Sequence, residues 1–299
     1  MSDVSKFNVN GQQLPVADGK ARADAAAALD MESRLQQLIS GKYAGRSLVE
    51  MFASEIVEYD DEWQWLQARV QAGEYSGMLP FDYIPVTLTS GFNLLYEIGH
   101  IDPYTGAGNT EAGHHVAMVP KVVVPVSGTY AVNGDHIKWN TTGKNQGTSS
   151  EKHPWKASTL CTWMNGDFYN LLPEKVRNRI VEVPHFLEER YNASTDQTAA
   201  TGWSWASPGK VWAPSCIEVY GHESWGTKGY SDDIDCQFDV FKSTRGRIRR
   251  NGASRAHWWL RVPSGVNATN ACIVTADGVA YAYSTATTGV YPLPCFYIG

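Results

Sequence analysis

Residues able to carry chemistry fall in short clusters along the chain. Glu111 precedes His114 and His115 in the order E-x-x-H-H, whereas a helical zinc hydrolase site needs H-E-x-x-H. Adjacent residues of a strand point to opposite faces, so His114 and His115 are read as structural or surface residues. His222-Glu223 lacks a third ligand. Asp232-Asp233-Ile234-Asp235 carries enough oxygen for Ca²⁺ but reads as a solvated turn. Ser264 stands in Pro263-Ser264-Gly265, without the G-x-S-x-G elbow of a hydrolase nucleophile. Neither a phosphate loop nor G-x-G-x-x-G occurs. Cys161, Cys216, Cys236, Cys272 and Cys295 are odd in number and widely spaced. They read as buried free thiols, with a Cys272–Cys295 disulfide as the alternative. The expectation is a protein that is no enzyme, with no catalytic residues, no metal and no cofactor.

Two further clusters suit binding. Arg245-Gly246-Arg247-Ile248-Arg249-Arg250, with Lys242 and Arg255, could meet phosphate or an acidic polysaccharide. The favoured reading is a salt-bridged surface loop paired with the acids at 232–239. After Trp258 the chain mixes Tyr with Ser, Thr, Asn and Ala. Tyr brings contact area at low rotamer cost, and small polar residues adapt around it. The candidate ligand contacts are Val262, Ser264, Val266, Thr269, Thr275, Tyr281, Tyr283, Thr285, Thr287 and Tyr291. Trp258, Trp259 and Leu260 form a continuous apolar run and read as core. The chain also holds 11 Trp; most are expected in the core, and the rest at binding surfaces.

These residues need a scaffold, and the 299 residues allow one large domain plus a small N-terminal module. With 43% hydrophobic and 19% charged residues the composition is globular. A net charge of -6 gives no nucleic-acid face. There is no apolar stretch long enough to span a membrane, and the first residues lack a secretory signal pattern, so synthesis in a host cytoplasm is expected. Asn10-Gly11 predicts a hairpin turn. A helix is predicted from Ala21 to Ile39 and ended by Gly41, with Ala21, Ala28 and Leu35, and Asp24, Met31 and Leu38, at heptad spacing. Such a helix either pairs with copies of itself or packs on its own domain. Leu48, Val49, Phe52 and Ile56 form one helical stripe, and Trp63, Leu66 and Val70 a second, started by Asp60-Asp61. Strands are predicted at Tyr83–Leu88, Leu94–Ile98, Lys121–Val126 and Thr129–Val132. Helices are predicted from Pro154, with Ala157, Leu160, Cys161 and Met164 on one face, and over Pro173–Ile180. This is an α+β layout.

The opening Val9-Asn10-Gly11, Leu14-Pro15-Val16-Ala17-Asp18 and Ala21-Arg22 resembles the start of phage tail-fibre and head-fibre proteins, where a small β-turn unit precedes a trimeric helical stalk. Residues 80–299 resemble a domain of uncharacterised function found in prophages of gut Firmicutes. The resemblance rests on Asp82-Tyr83-Ile84-Pro85-Val86-Thr87-Leu88, Gly113-His114-His115, Pro154-Trp155-Lys156-Ala157-Ser158, Trp212-Ala213-Pro214-Ser215, Trp225-Gly226-Thr227-Lys228-Gly229, Trp258-Trp259-Leu260-Arg261 and Gly289-Val290-Tyr291-Pro292. That domain resembles the C-type-lectin fold in the variant shared with formylglycine-generating enzymes and with the variable proteins of diversity-generating retroelements. Tyr291 stands where the resemblance expects Arg. The calcium triplets of sugar-binding C-type lectins are absent, although Trp139-Asn140-Thr141 partly echoes one. Cys272 and Cys295 are too far apart for formylglycine-generating chemistry.

The resemblance implies a C-type-lectin-like domain with irregular loops over 80–299, a helical linker over 41–79, and an attachment and oligomerisation module over 1–40. It further implies a phage virion surface protein, on tail or head, that binds a bacterial surface protein or glycan. The N-terminus would join other virion proteins, as a homotrimer. The alternatives are a virion decoration protein without receptor binding, and a formylglycine-generating-type or glycan-active enzyme.

Overall fold

The computed structural model describes residues 6–9, 12–15, 19–105, 113–227 and 236–299, with side chains described from residue 23 onward. The expected turn at Asn10-Gly11, Glu111, and the acidic cluster 232–235 lie outside the described residues. The chain divides into two compact units, Met1–Ala44 and Gly45–Gly299. The segment 45–79, expected as a linker, thus belongs to the larger unit.

In the small unit, β1 (Lys6–Val9) pairs antiparallel with β2 (Gln12–Pro15), and α1 (Gly19–Ile39) follows. Gly41 takes a φ of 68° and accordingly ends the helix. Of the heptad positions with described side chains, Asp24, Ala28 and Leu35 are exposed, and Met31 and Leu38 are half-buried. Leu29 and Ile39 are exposed as well.

The larger unit begins with α2 (Leu48–Met51), α3 (Ala53–Ile56) and α4 (Glu62–Gln71). Asp61 caps α4 by accepting from the backbone N–H of Trp63 and Gln64. The predicted stripe Trp63, Leu66 and Val70 is fully buried, with Trp63 packing against Phe296 at 6.0 Å.

Over the whole chain helix makes up 26% and strand 25%, and the larger unit contains a curled half-barrel sheet. Its strands are β3 (Tyr83–Thr87), β4 (Asn93–Ile101), β5 (Val116–Pro120), β6 (Ile180–Val181) and β14 (Phe296–Ile298). Their order is β3-β4-β5-β14-β6, with antiparallel pairings throughout. β5 is buried at every position, as expected of a central strand covered on both faces.

The predicted strand at Lys121–Val126 does not form. There Val123, Val124 and Val126 donate to the carbonyls of Arg250, Pro292 and Asp135, each in a different segment. Pro125 also has no N–H to give a ladder. Over the predicted strand Thr129–Val132, residues 128–130 form a short 3₁₀ turn instead. The helix expected from Pro154 starts later, as α5 (Thr159–Trp163), because Ser158 caps it by accepting from the Cys161 N–H. A π turn at Met164–Phe168 leads into α6 (Tyr169–Leu171), and α7 (Glu174–Arg177) covers part of the predicted Pro173–Ile180 helix.

The remaining elements carry the surfaces of interest. β7 (His185–Glu189) pairs with β8 (Gly202–Ala206), and α8 (Cys216–Tyr220) follows. α9 (Thr244–Arg247) and the short ribbon β9 (Arg249–Asn251) with β10 (Ser254–Ala256) lead into a three-stranded antiparallel sheet. That sheet is β11 (Trp258–Pro263), β12 (Asn270–Val274) and β13 (Ala280–Ser284), in chain order. Trp258, Trp259 and Leu260 are fully buried, as their continuous apolar run predicts.

Candidate functional site

Every tryptophan is buried except Trp203, Trp205 and Trp225, which are half-exposed. Burying a whole indole is the ordinary outcome in a core, so these three mark the aromatic surfaces.

Trp225 belongs to a row of rings along the outer strand β13. Tyr281 and Tyr283 are two apart and therefore share one face of the strand. Their rings meet edge-on at 5.5 Å. Trp225 lies 5.5 Å beyond Tyr281, and His257 lies 5.8 Å beyond Tyr283. The Trp225 indole donates to the Ala280 carbonyl at 3.2 Å, which fixes the ring to the strand. Tyr281 is 46% exposed.

The loop between β11 and β12 lies in the same sheet and presents Val266, 70% exposed. Buried Asn145 braces it from inside: its amide donates to the carbonyls of Asn267 and Asn270, at 2.7 and 2.5 Å, and more loosely to Ser264. Ser264 Oγ accepts from the N–H groups of Val266 and Asn267. The loop is therefore held in shape before any partner arrives.

The ten predicted contacts divide. Val266, Thr269, Tyr281 and Thr287 are exposed, and Thr275, Tyr283 and Tyr291 are half-exposed. Val262, Ser264 and Thr285 are buried, which corrects their expected place on an open face. Val262 lines an interior cleft, Ser264 is the loop brace just described, and the Thr285 side chain is closed off from solvent. For Val262 the reason is that β11 is covered along its whole length, so alternation along it yields no outward face, while Ser264 and Thr285 lie just beyond the ends of β11 and β13. Thr269 bonds its own loop through Asn267 Oδ1, and the Thr275 hydroxyl accepts from the Val279 N–H. Tyr291, where Arg was expected, donates to Asp135 at 2.8 Å and accepts from Asn251 at 2.7 Å. Its ring lies 4.0 Å from His136. It is anchored, unlike Tyr281.

The second aromatic surface is the cleft. Across β7 and β8, Phe186 opposes Trp205, and Glu188 opposes Trp203, on one face of the ribbon. Phe186 and Trp203 stack at 5.9 Å. With Trp155, Glu223, Arg261 and Val262 they line a small cleft of about 30 Å³. Glu188 is buried; its Oε1 accepts from Arg190 Nε at 2.6 Å and from Thr227 at 3.1 Å, while Oε2 has no hydrogen-bond partner among the described residues. Burial pushes the Glu188 carboxyl up, against the pull of Arg190. Arg190, fully buried, also donates to Asn145, Thr227 and the Ser264 carbonyl.

Beneath the cleft lies a closed polar network. Arg261 forks onto Glu218 at 2.6 and 2.8 Å, and Glu218 also accepts from the Tyr104 hydroxyl and from the Ser215 N–H as part of a capping box. His185 bonds the Tyr297 hydroxyl at 2.8 Å, and burial holds its imidazole well below its ordinary pKa. Its members are buried, so their geometry is that of a structural pin.

The other sequence clusters resolve similarly. His114 pairs with Asp102 at 2.8 Å, while His115 is buried, its ring bonding the Gly113 carbonyl. Among the described residues no group of three His, Cys, Asp or Glu side chains could hold a metal ion, and no helix is long and apolar enough to cross a membrane. All five cysteines are free thiols, so Cys272 and Cys295 are not joined, and Cys272 lies beside Cys216 instead. Among the described residues the basic run meets acids from several segments. Lys242 meets Asp239, but Arg249 meets buried Glu97, Arg255 meets Asp277, and Arg247 bonds the carbonyls of Phe241 and Gly278.

Residues 127–298 match the family model of a domain of unknown function, DUF6273. The chain belongs to this family. No curated protein and no solved structure matches it. The matched span is not a closed structural piece here, because β14 at its end pairs with β5, which precedes it.

The residues missed by sequence reasoning are Trp225 and His257 in the row, Asn145 beneath the loop, and Phe186, Glu188 and Trp203 in the cleft. Trp203-Ser204-Trp205 did carry a signal, since alternation in a strand places both rings on one face. Asn145 carried none, because its partners lie more than a hundred residues away.

Proposed function

We propose that this is a phage virion surface protein, on tail or head, that binds a bacterial cell-surface protein or glycan without a chemical step. In this reading the larger unit is a C-type-lectin-like domain, and its receptor face is the outer edge of the β11-β12-β13 sheet. The observation that carries the proposal is the ring row Trp225–Tyr281–Tyr283–His257 beside a pre-braced loop bearing exposed Val266. Aromatic side chains with a polar tip dominate recognition surfaces, and a loop ordered beforehand lowers the entropy cost of binding. Exposed Leu29 and Leu35 on α1 support self-association into a trimer, which would multiply weak single-site binding.

The test is competition by the purified protein for adsorption of the phage that carries it. The wild-type chain should block adsorption, and Tyr281→Ala combined with Trp225→Ala should lose at least about tenfold in potency, with an unchanged circular dichroism spectrum. Equal potency of the folded double variant refutes the proposed face. Failure of the wild-type chain to compete, with the protein found packed inside the particle, would favour a decoration role.

A further inference from the structure

We propose that the groove beside α5 binds an acidic oligosaccharide, held by its carboxylates, at a site separate from the receptor face. A space of about 530 Å³ opens there, within the range of small-molecule sites. Its wall presents Thr129, Tyr130, Lys138, Thr141, Thr159 and Thr162 around the methyls of Val132. Lys138 is half-buried and is the one charged residue of this wall among the described residues. No carboxylate and no hydrogen-bond acceptor among the described residues meets its ammonium. A partly desolvated ammonium without an anion is costly, and a carboxylate is its charge-assisted complement.

The rest of the wall narrows the class to a sugar. The Thr129 and Tyr130 hydroxyls have no hydrogen-bond partner among the described residues. Thr162 Oγ1 donates to the Ser158 carbonyl at 3.1 Å and keeps lone pairs with which to accept. Hydroxyls that both donate and accept match those of a sugar ring, and the Tyr130 ring with Val132 offers an apolar surface to its C–H groups. A phosphate group, with about two negative charges near pH 7, would outnumber Lys138, whereas one carboxylate balances it.

The groove continues beyond this space. Thr162 also lines a second one, of about 550 Å³, together with Asn165, Tyr169 and Lys210. Lys210 lies 5.2 Å over the Tyr169 ring and donates to its hydroxyl at 3.2 Å, and Arg177 lies 5.9 Å over the same ring. Neither cation has a carboxylate partner among the described residues. Lys156 is paired with Glu151 at 2.9 Å, and Glu182, the one acid of this wall among the described residues, accepts from the Ser207 hydroxyl. The cations Lys156, Lys210 and Arg177 thus outnumber the carboxylates Glu151 and Glu182. Each of two spaces that share Thr162 offers an ammonium without a carboxylate partner. The ligand is therefore a chain with carboxylates on more than one sugar unit.

The test follows the backbone amide resonances of residues 159–162 in the full chain during titration with tri-galacturonic acid, and with maltotriose as a neutral trisaccharide. The acid should shift these resonances saturably and bind at least about tenfold more tightly than maltotriose. Lys138→Gln should weaken it by about tenfold or more, as expected for loss of one charge-assisted bond, and Lys138→Arg should restore most of the affinity. Lys210→Gln should weaken it severalfold. Equal binding of maltotriose, an unchanged affinity in either glutamine variant, or tighter binding of inorganic phosphate at the same resonances overturns the proposal. If Lys138→Gln does not fold, Lys210→Gln decides: weaker binding supports the groove and unchanged binding removes it. The adsorption test alters Tyr281 and Trp225 and leaves Lys138 and Lys210 in place, so either proposal can fail alone.

Discussion

Arg190 is wholly buried, yet it reaches Glu188, Asn145, Thr227 and the Ser264 carbonyl. Removing one partner of such an arrangement leaves the others stranded, and breaking a buried ion pair typically costs ~3–5 kcal/mol. Arg190→Ala should therefore lower the urea midpoint markedly, and a variant within ~0.5 kcal/mol of wild type would show that the pair adds nothing. A second outcome at this scale concerns acid. Burial depresses the imidazoles of both His115 and His185. The folded protein holds them neutral, while the unfolded chain protonates them near pH ~6.5. Below that value the unfolded state binds more protons, so stability present above it is lost as pH falls toward the depressed folded values. Glu188, with its carboxyl pushed up, acts in the opposite sense, but it is one group against two. Urea midpoints should be lower at about pH 5.5 than at about pH 7.5; an equal or higher midpoint would contradict the assignment.

The loop joining β11 and β12 depends on Asn145, which belongs to no regular element. Asn145→Ala removes the side-chain donor from the carbonyls of Asn267 and Asn270, each of which keeps one backbone donor, at a cost of about 0.5–1.5 kcal/mol for each hydrogen bond lost. Amide hydrogen exchange should speed up across residues 264–270 and much less across β3–β5; uniform acceleration would mean that the brace is not local. This scale also shows what could be read from the sequence. The α4 stripe Trp63, Leu66 and Val70 was legible because a helix buries one side, and 3.6-residue spacing marks that side. The β3–β4 hairpin was legible through alternation. β5 was not, because a strand covered on both faces has no alternation and merges with the apolar run after it. Among the candidate contacts, Tyr281 and Tyr283 reached the surface because β13 is an outer strand. Val262, Ser264 and Thr285 did not, and the sequence could not tell the two groups apart, because composition records which residues are present and not which way they face.

At the scale of the whole molecule, the family-matched span and the physical unit have different limits. The match begins at residue 127, whereas the larger compact unit begins at Gly45. Gly45 itself admits no side chain, since a Cβ there would lie 1.8 Å from the Phe81 carbonyl oxygen. A fragment of residues 127–298 would lack β5 and the indoles of α4, leaving the inner edge of β14 bare. It should be aggregated or lack near-ultraviolet dichroism, while 45–299 should fold; a soluble, cooperatively unfolding 127–298 fragment would show that the N-terminal strands are dispensable.

The placement of β14 between β5 and β6 also sets a timetable. The Tyr96 hydroxyl waits for the Pro294 carbonyl, 198 residues downstream, and contacts of such separation form late. During synthesis the half-barrel therefore has an open slot until Ile298 clears the ribosome, with two strand edges unpaired and available to a neighbouring nascent chain. Ribosome-stalled chains ending before Pro294 should be protease-sensitive throughout β3–β5, and chains extended past Gly299 by a linker long enough to clear the exit tunnel should be resistant. Equal resistance in both would mean that the sheet closes without its last strand. The slot makes the last strand a checkpoint: a copy terminated before Pro294 keeps the edges of β5 and β6 unpaired and so stays marked as unfinished.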